Sequence, residues 1–309
     1  MAADRFQLED DPIALPRGAW AATERRTLRL GGRPVFSLTQ GRHRAYLYPL
    51  YTPKGFPVVS EAPADHPHHN ACWIAADHVH CQMPAADNRI EEYTYNFYND
   101  DTFQGRAPGR IIATDSTGEP DGDDAFLIRQ TLEWRGPSEW AAPQGRIAAT
   151  EDRLYRIALD GGTYVLDVTS KLAAADWDFV IGPTRHSYFN VRVAEGIAVT
   201  SGGTVVDDAG RSDGAGITGT DARWVDYSGP VGGGNTAGVA VFPDPRDHRD
   251  ISWFVTDWGV VTVGPFRKTG RRVGKGESVT VRYRTIIHDG DTAAAGIARR
   301  YTGYAAALG

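Results

Sequence analysis

Punctuation is the strongest constraint on how this chain can fold. Its 35 glycines and 18 prolines break 309 residues into short runs, and those runs alternate apolar with polar residues, the period of a half-buried strand. Thr27-Leu28-Arg29-Leu30 and Pro34-Val35-Phe36-Ser37-Leu38 flank Gly31-Gly32, while Arg153–Leu159 and Tyr164–Leu172 flank Asp160-Gly161-Gly162. Paired glycines supply the positive φ that two-residue hairpin turns require. The pattern continues through 44–50, 71–81, 110–115, 126–134, 251–256, 260–263 and 278–287, and residues 191–240 alternate β-branched runs with Gly-rich turns. Residues 52–70 are proline-rich and read as a long loop over the sheet surface, because proline has no N–H for a ladder. Residues 91–103, rich in acids, Tyr and Asn, read as a rim loop.

One helix is expected, over 292–305, with Asp291 as its N-cap. No linker or fixed-period repeat divides the chain. The expectation is therefore a single all-β domain over 1–309: a large two-sheet antiparallel sandwich with a short C-terminal helix, residues 1–19 forming an N-terminal extension.

The 41% hydrophobic and 23% charged content is that of a globular protein. No apolar run nears the length of about 20 residues that spans a bilayer, and the first residues lack the layout of a secretory signal. A net charge of −6 with interspersed signs argues against nucleic acid and for a neutral or small polar ligand. Cys72 and Cys81 are the only cysteines, too few for a disulfide framework, so the expected compartment is the cytoplasm.

Chemistry concentrates in Asp65-His66-Pro67-His68-His69-Asn70 and Asp77-His78-Val79-His80-Cys81. Five of the nine histidines stand here, and His is the residue chosen where a near-neutral proton or a metal is handled. Pro67 keeps His66 out of helical geometry, so the three rings fan outward. They can donate to several hydroxyls of one ligand, ligate a metal, or merely cap loop carbonyls. In an extended chain His78 and His80 share a face. The spacing matches no zinc motif, so a divalent metal on His68, His78 and His80 is open rather than indicated. Further along, Asp257 and Trp258 could be a base beside a sugar-stacking ring, or a turn. Arg267 and Lys268, after a strand end at Phe266, could hold a carboxylate or enolate oxygen, or be a solvated charge pair.

Arg185-His186-Ser187-Tyr188-Phe189-Asn190 resembles the aldose 1-epimerase motif Asn-His-(Thr/Ser/Pro)-Tyr-Phe-Asn, departing at Arg185. The resemblance implies a galactose mutarotase-like supersandwich, His186 as general acid at a pyranose ring oxygen, and an earlier histidine supplied by the 66–69 loop. It breaks at the family's late catalytic Glu, for which Val260–Phe266 offers no carboxylate. A longer stretch, about 44–301, resembles the bacterial family labelled "methane oxygenase PmoA-like". That resemblance rests on Tyr46–Thr52, Asp65–His69 with Trp73, Trp224–Gly229 and Asp257-Trp258-Gly259. It implies carbohydrate catabolism beside a sugar oxidoreductase, and the chain departs from it at His78, His80 and His186.

The combined expectation is an enzyme doing His-based acid/base chemistry on a sugar, glycoside or keto-sugar, of lyase, hydratase, epimerase or mutarotase type, metal-assisted if a metal binds. His186, His69 and His80 are the expected catalytic residues. His66, His68, Asn70, Trp73, Tyr188, Asp257, Trp258, Arg267 and Lys268 are expected to bind substrate. One alternative is a non-catalytic carbohydrate-binding module, which the 8 Trp and 13 Tyr could furnish. Another is a metal-dependent oxygenase built on these histidines with Asp65 or Asp77.

Overall fold

The computed structural model describes residues 6–11, 24–248 and 251–308. Two eight-stranded sheets form its body. The first runs through Phe6–Asp10, Glu24–Leu30, Arg33–Gln40, Ala45–Leu50, Cys72–Ala76, Ser187–Arg192, Val260–Val263 and Trp253–Val255. The second runs through Thr204–Asp207, Val225–Gly232, Asn235–Pro243, Ser278–Asp289, Thr163–Ala173, Ile147–Asp160, Ala125–Arg135 and Arg110–Pro120. The fold is all-β and both of these sheets are antiparallel throughout, in keeping with the alternation. Both glycine pairs sit in hairpin turns at positive φ: Gly31 at 57° and Gly32 at 77°, Gly161 at 54° and Gly162 at 75°.

Rings from opposite sheets meet between the two layers. Phe189 stacks on Tyr283 with centroids 4.6 Å apart, and Tyr188 on Trp134 at 6.1 Å. One ion pair is buried there: Arg153 donates to both oxygens of Glu151 at 2.7 Å, and Trp134 and Ser170 donate to the same carboxylate. Full hydrogen bonding is what makes such a buried pair tolerable.

A third sheet of five strands is the main addition to the sequence reading: Arg271–Val273, Asp178–Ile181, Val79–Pro84, Ile90–Asn96 and Ala107–Pro108. The last two pair parallel. Much of the expected rim loop is thus a strand, because Ile90–Asn96 finds ladder partners in Val79–Pro84. The expected N-terminal extension contains an edge strand, with Phe6 opposite Leu30. Residues 1–5 and 12–23 lie outside the described residues.

The C-terminal helix is Ile297–Ala307, starting later than expected. Asp291 caps a preceding turn by accepting from Ala294 N at 2.8 Å, and the helix begins after Gly296 at φ 64°. Ile297, Tyr301 and Tyr304, one helical face, pack on Val165, Trp224, Phe242 and Ile286 of the second sheet. Thr292 donates to the buried Asp226 at 2.5 Å, and His288 Nε2 lies 3.0 Å from the same carboxylate.

One junction positions the site. Cys72–Ala76 leaves the first sheet through Asp77 and His78 to become Val79–Pro84 of the third, while Asp178–Ile181 leaves the third to become Ser187–Arg192 of the first. Ala76 pairs with Ser187 and Val79 with Ile181, so the two crossovers run side by side. Gly182 N donates to His78 O at 2.9 Å across them. Gly182 sits at φ 73°, and a Cβ there would stand 2.3 Å from Phe266 O, so this close approach needs glycine.

Candidate functional site

Asp77 and His186 face each other across these crossovers. Asp77 is buried, and its Oδ2 lies 3.0 Å from His186 Nδ1, while Thr184 Oγ1 donates to Oδ1. Arg106 adds a guanidinium 3.6 Å away. Burial pushes this carboxyl up, but the bonds from His186 and Thr184 and the charge of Arg106 outweigh it and hold it below the usual carboxylate range. An ionised carboxylate only accepts, so the imidazole proton sits on Nδ1 and Nε2 keeps its lone pair. Arg185 Nε donates to that lone pair at 3.2 Å.

The 62–70 loop forms the second wall, fixed by two arginines. Buried Arg44 donates to His68 O at 2.6 Å and also binds Asn70 Oδ1 and Asp100. Arg192 donates to both oxygens of Asp65 at 3.0 and 3.1 Å and lies 4.8 Å from the centre of Trp258. His66 stacks on Trp258 at 4.4 Å and on His69 at 4.8 Å. Beneath, His69 packs against Trp73 at 5.4 Å.

Tyr98 joins the walls. Its hydroxyl lies 3.1 Å from His69 Nε2, and its ring stacks on His186 at 4.8 Å. Burial, with the charge of Arg44, lowers His68 to about 4. Burial and the neighbouring imidazoles lower His69 to about 2. Both rings are neutral at pH 7. His68 joins Pro67, Asn99, Asp100 and Phe103 in lining a cleft of about 200 Å³. Phe103 of its wall lies 6.4 Å from the His186 ring, which places the Asp77–His186 pair behind that wall rather than in the lining itself. A larger cleft of about 510 Å³, lined by Arg25, Arg26, Gln40 and Asp115 among others, contains no histidine or cysteine.

The structure therefore gathers His66, His68, His69, Asn70, Trp73, Trp258 and His186. Arg267 lies at the same corner, 5.8 Å from Phe254, whose ring is 6.0 Å from His186. Four expected residues are elsewhere. His80 is on the third sheet, bonded to Thr94 Oγ1 at 2.9 Å and 3.6 Å from Glu92, and neither partner belongs to the cluster. Tyr188 is fully buried with its hydroxyl 2.8 Å from Ser170, which leaves it no face for a ligand. Asp257 accepts from Gly214 N at 2.8 Å, tying its strand end to a neighbouring segment. Lys268 points to solvent.

A metal does not fit. Among the described residues no three His, Cys, Asp or Glu side chains converge for one. The Arg106 guanidinium stands 3.1 Å from His78 Nδ1, and a cation there would be repelled. Cys72 and Cys81 are buried free thiols pushed up to about 12 by burial.

Asp77 as the partner of His186, Tyr98 as the bridge, and Arg44, Arg185 and Arg192 as organisers were not singled out from sequence. Asp77 had a signal: it is the acid that ends the wholly buried strand Cys72–Ala76. The arginines had none, since nothing local distinguishes them from solvated ones.

A search of curated proteins finds no match. In overall layout the chain is similar to a galactose mutarotase-like protein from Lactobacillus casei, at 9% identity and TM-score 0.43 over 82% of this chain and 97% of that one. It is also similar to a provisionally assigned aldose 1-epimerase from Klebsiella pneumoniae, at 11% identity and TM-score 0.44 over 99% and 88%. At such values the likeness assigns no residue and no activity. The sequence itself matches one family across residues 25–302, and the chain belongs to that family, DUF6807, a family of unknown function.

Proposed function

We propose that this protein is a carbohydrate-processing enzyme in which His186, oriented by Asp77, moves a proton on a sugar or keto-sugar. The observation that carries this reading is the buried Asp77–His186 pair beside a cleft lined by the neutral imidazole of His68. A carboxylate on Nδ1 fixes the tautomer and stabilises the imidazolium that forms when Nε2 accepts a proton. His68 is the second imidazole in reach of the cleft, and a neutral ring there can donate to or accept from a substrate hydroxyl.

The strand Val260–Val263, in the region that the aldose 1-epimerase resemblance matches to a late catalytic Glu, carries no carboxylate, and its Thr262 bonds Asn190 at 2.7 Å. Proton removal next to a carbonyl, as in a keto-glycoside lyase, hydratase or epimerase, needs one well-held base and so suits this site better than ring opening by a Glu and His together. The resemblance to the PmoA-like family supports the same substrate class, with a sugar oxidoreductase supplying the keto-sugar in the cytoplasm.

The test offers the protein a free aldose, a glycoside and a 3-keto-glycoside in D2O, following anomer exchange and deuterium uptake by NMR and enone formation by absorbance. Conversion of at least one, lost in His186→Asn with binding retained, supports the proposal. Sugar binding without conversion of any of them would sink it in favour of a binding module.

A further inference from the structure

Phe254 is the centre of an unbalanced group of charges. The guanidinium of Arg185 lies 5.0 Å from its ring centre, that of Arg267 lies 5.8 Å away, and the His186 ring meets its edge at 6.0 Å. Among the described residues no carboxylate stands within 4.0 Å of either arginine. Among the same residues the Arg185 side chain makes a single hydrogen bond, from Nε to His186, and that of Arg267 makes none, its Nη1 being buried without a partner. The setting contrasts with Arg44, Arg153, Arg192 and Arg284, each held by a carboxylate. Two guanidiniums beside one aromatic ring repel each other, and a half-buried one with an unsatisfied N–H costs stability until something accepts from it. Burial and the charge of Arg185 both lower Arg267 from its ordinary value, which is the field an anion would relieve.

We propose that Arg185 and Arg267 form an oxyanion-binding subsite, so that the substrate is a sugar carrying an acid group. This inference rests on the sugar reading of the preceding section. Guanidinium forks match carboxylate and phosphate oxygens with paired hydrogen bonds, and Phe254 supplies an apolar shelf that keeps both planar groups in place. Because Arg185 Nε is 3.2 Å from His186 Nε2, an anion drawing Arg185 to itself would free that lone pair to accept a proton. The acid group would thus set the base as well as anchor the ligand.

Isothermal titration would compare methyl glucuronide, glucose 6-phosphate, methyl glucoside and inorganic phosphate, with wild type and with R185Q, R267Q and the double variant. The expected result is tenfold or greater preference for one of the two acid sugars over methyl glucoside, weakened by added salt and abolished in the double variant at a melting temperature no lower than that of wild type. The two acid sugars tell a carboxylate from a phosphate ester, and inorganic phosphate shows how much the anion contributes alone. Equal affinity for neutral and acid sugars, a preference that survives in the double variant, or no binding of any compound at millimolar concentration would each overturn the subsite. The two proposals fail separately. Turnover of neutral sugars with no acid preference removes the subsite and leaves the enzyme. An arginine-dependent preference with no proton exchange in any sugar removes the enzyme and leaves the subsite.

Discussion

Asp77 and His186 are 109 positions apart in the chain, and their side chains meet at 3.0 Å where two paired strands pass together from one sheet into another. Sheet pairing on both sides of the junction holds the contact, so the imidazole is oriented by backbone ladders rather than by a loose loop.

Replacing Asp77 by Asn keeps the shape but lets the imidazole adopt the other tautomer. Turnover of whichever sugar the wild type converts should fall by about 10²–10⁴, with KM little changed, as for a lost acid/base orientation. Steady-state kinetics separate the two constants. A fall confined to KM would assign Asp77 to binding instead.

Stability should decline on mild acidification. His68 and His248 are lowered to about 4 and His69 to about 2, in each case mainly by burial, from an ordinary 6.5. A depressed folded-state value means the unfolded chain binds the proton first, so the stabilisation is complete above about 6.5 and is lost as pH falls toward 4. Thermal midpoints measured from pH 7.5 to 4 should be level at first and then drop. His68→Gln should flatten part of that slope.

The buried pair of His288 and Asp226 acts with the opposite sign. Burial lowers His288, but the Asp226 carboxylate outweighs this and raises it above its ordinary 6.5. Its stabilising proton is therefore bound below the ordinary value and lost as pH rises through the folded-state value. Asp226→Asn should cost about 3 kcal/mol near pH 6, the low end for breaking a buried pair, and less at higher pH. Thr292 bonds the same carboxylate, so protection of the C-terminal helix amides should fall first in hydrogen exchange.

Tyr188→Phe tests the reassignment of that residue to the core. Losing the hydroxyl bonded to Ser170 at 2.8 Å should cost about 1 kcal/mol in denaturant unfolding. Sugar affinity and turnover should stay within error of wild type. A selective loss of affinity would return Tyr188 to the binding surface.

The sequence by itself determined the two large antiparallel layers. Alternating runs between glycine pairs can bury only one face of a strand, which forces packed antiparallel sheets. The density of imidazoles between His66 and His80 marked one wall, and the motif around His186 marked the other. Tertiary structure alone decided which of these residues meet. His78 and His80 would share a face of an extended chain, yet the crossover leaves His78 against Arg106 and carries His80 into a third sheet, where its partners are Thr94 and Glu92. Tyr188 and His186 are two residues apart in one motif, but one points into the sandwich and the other opens beside the cleft. Asp77, Tyr98, Arg185 and Arg267 acquire a role only through neighbours far along the chain. Local sequence cannot encode that, because a charge or ring is defined chemically by what surrounds it, and in an all-β fold those surroundings come from distant strands.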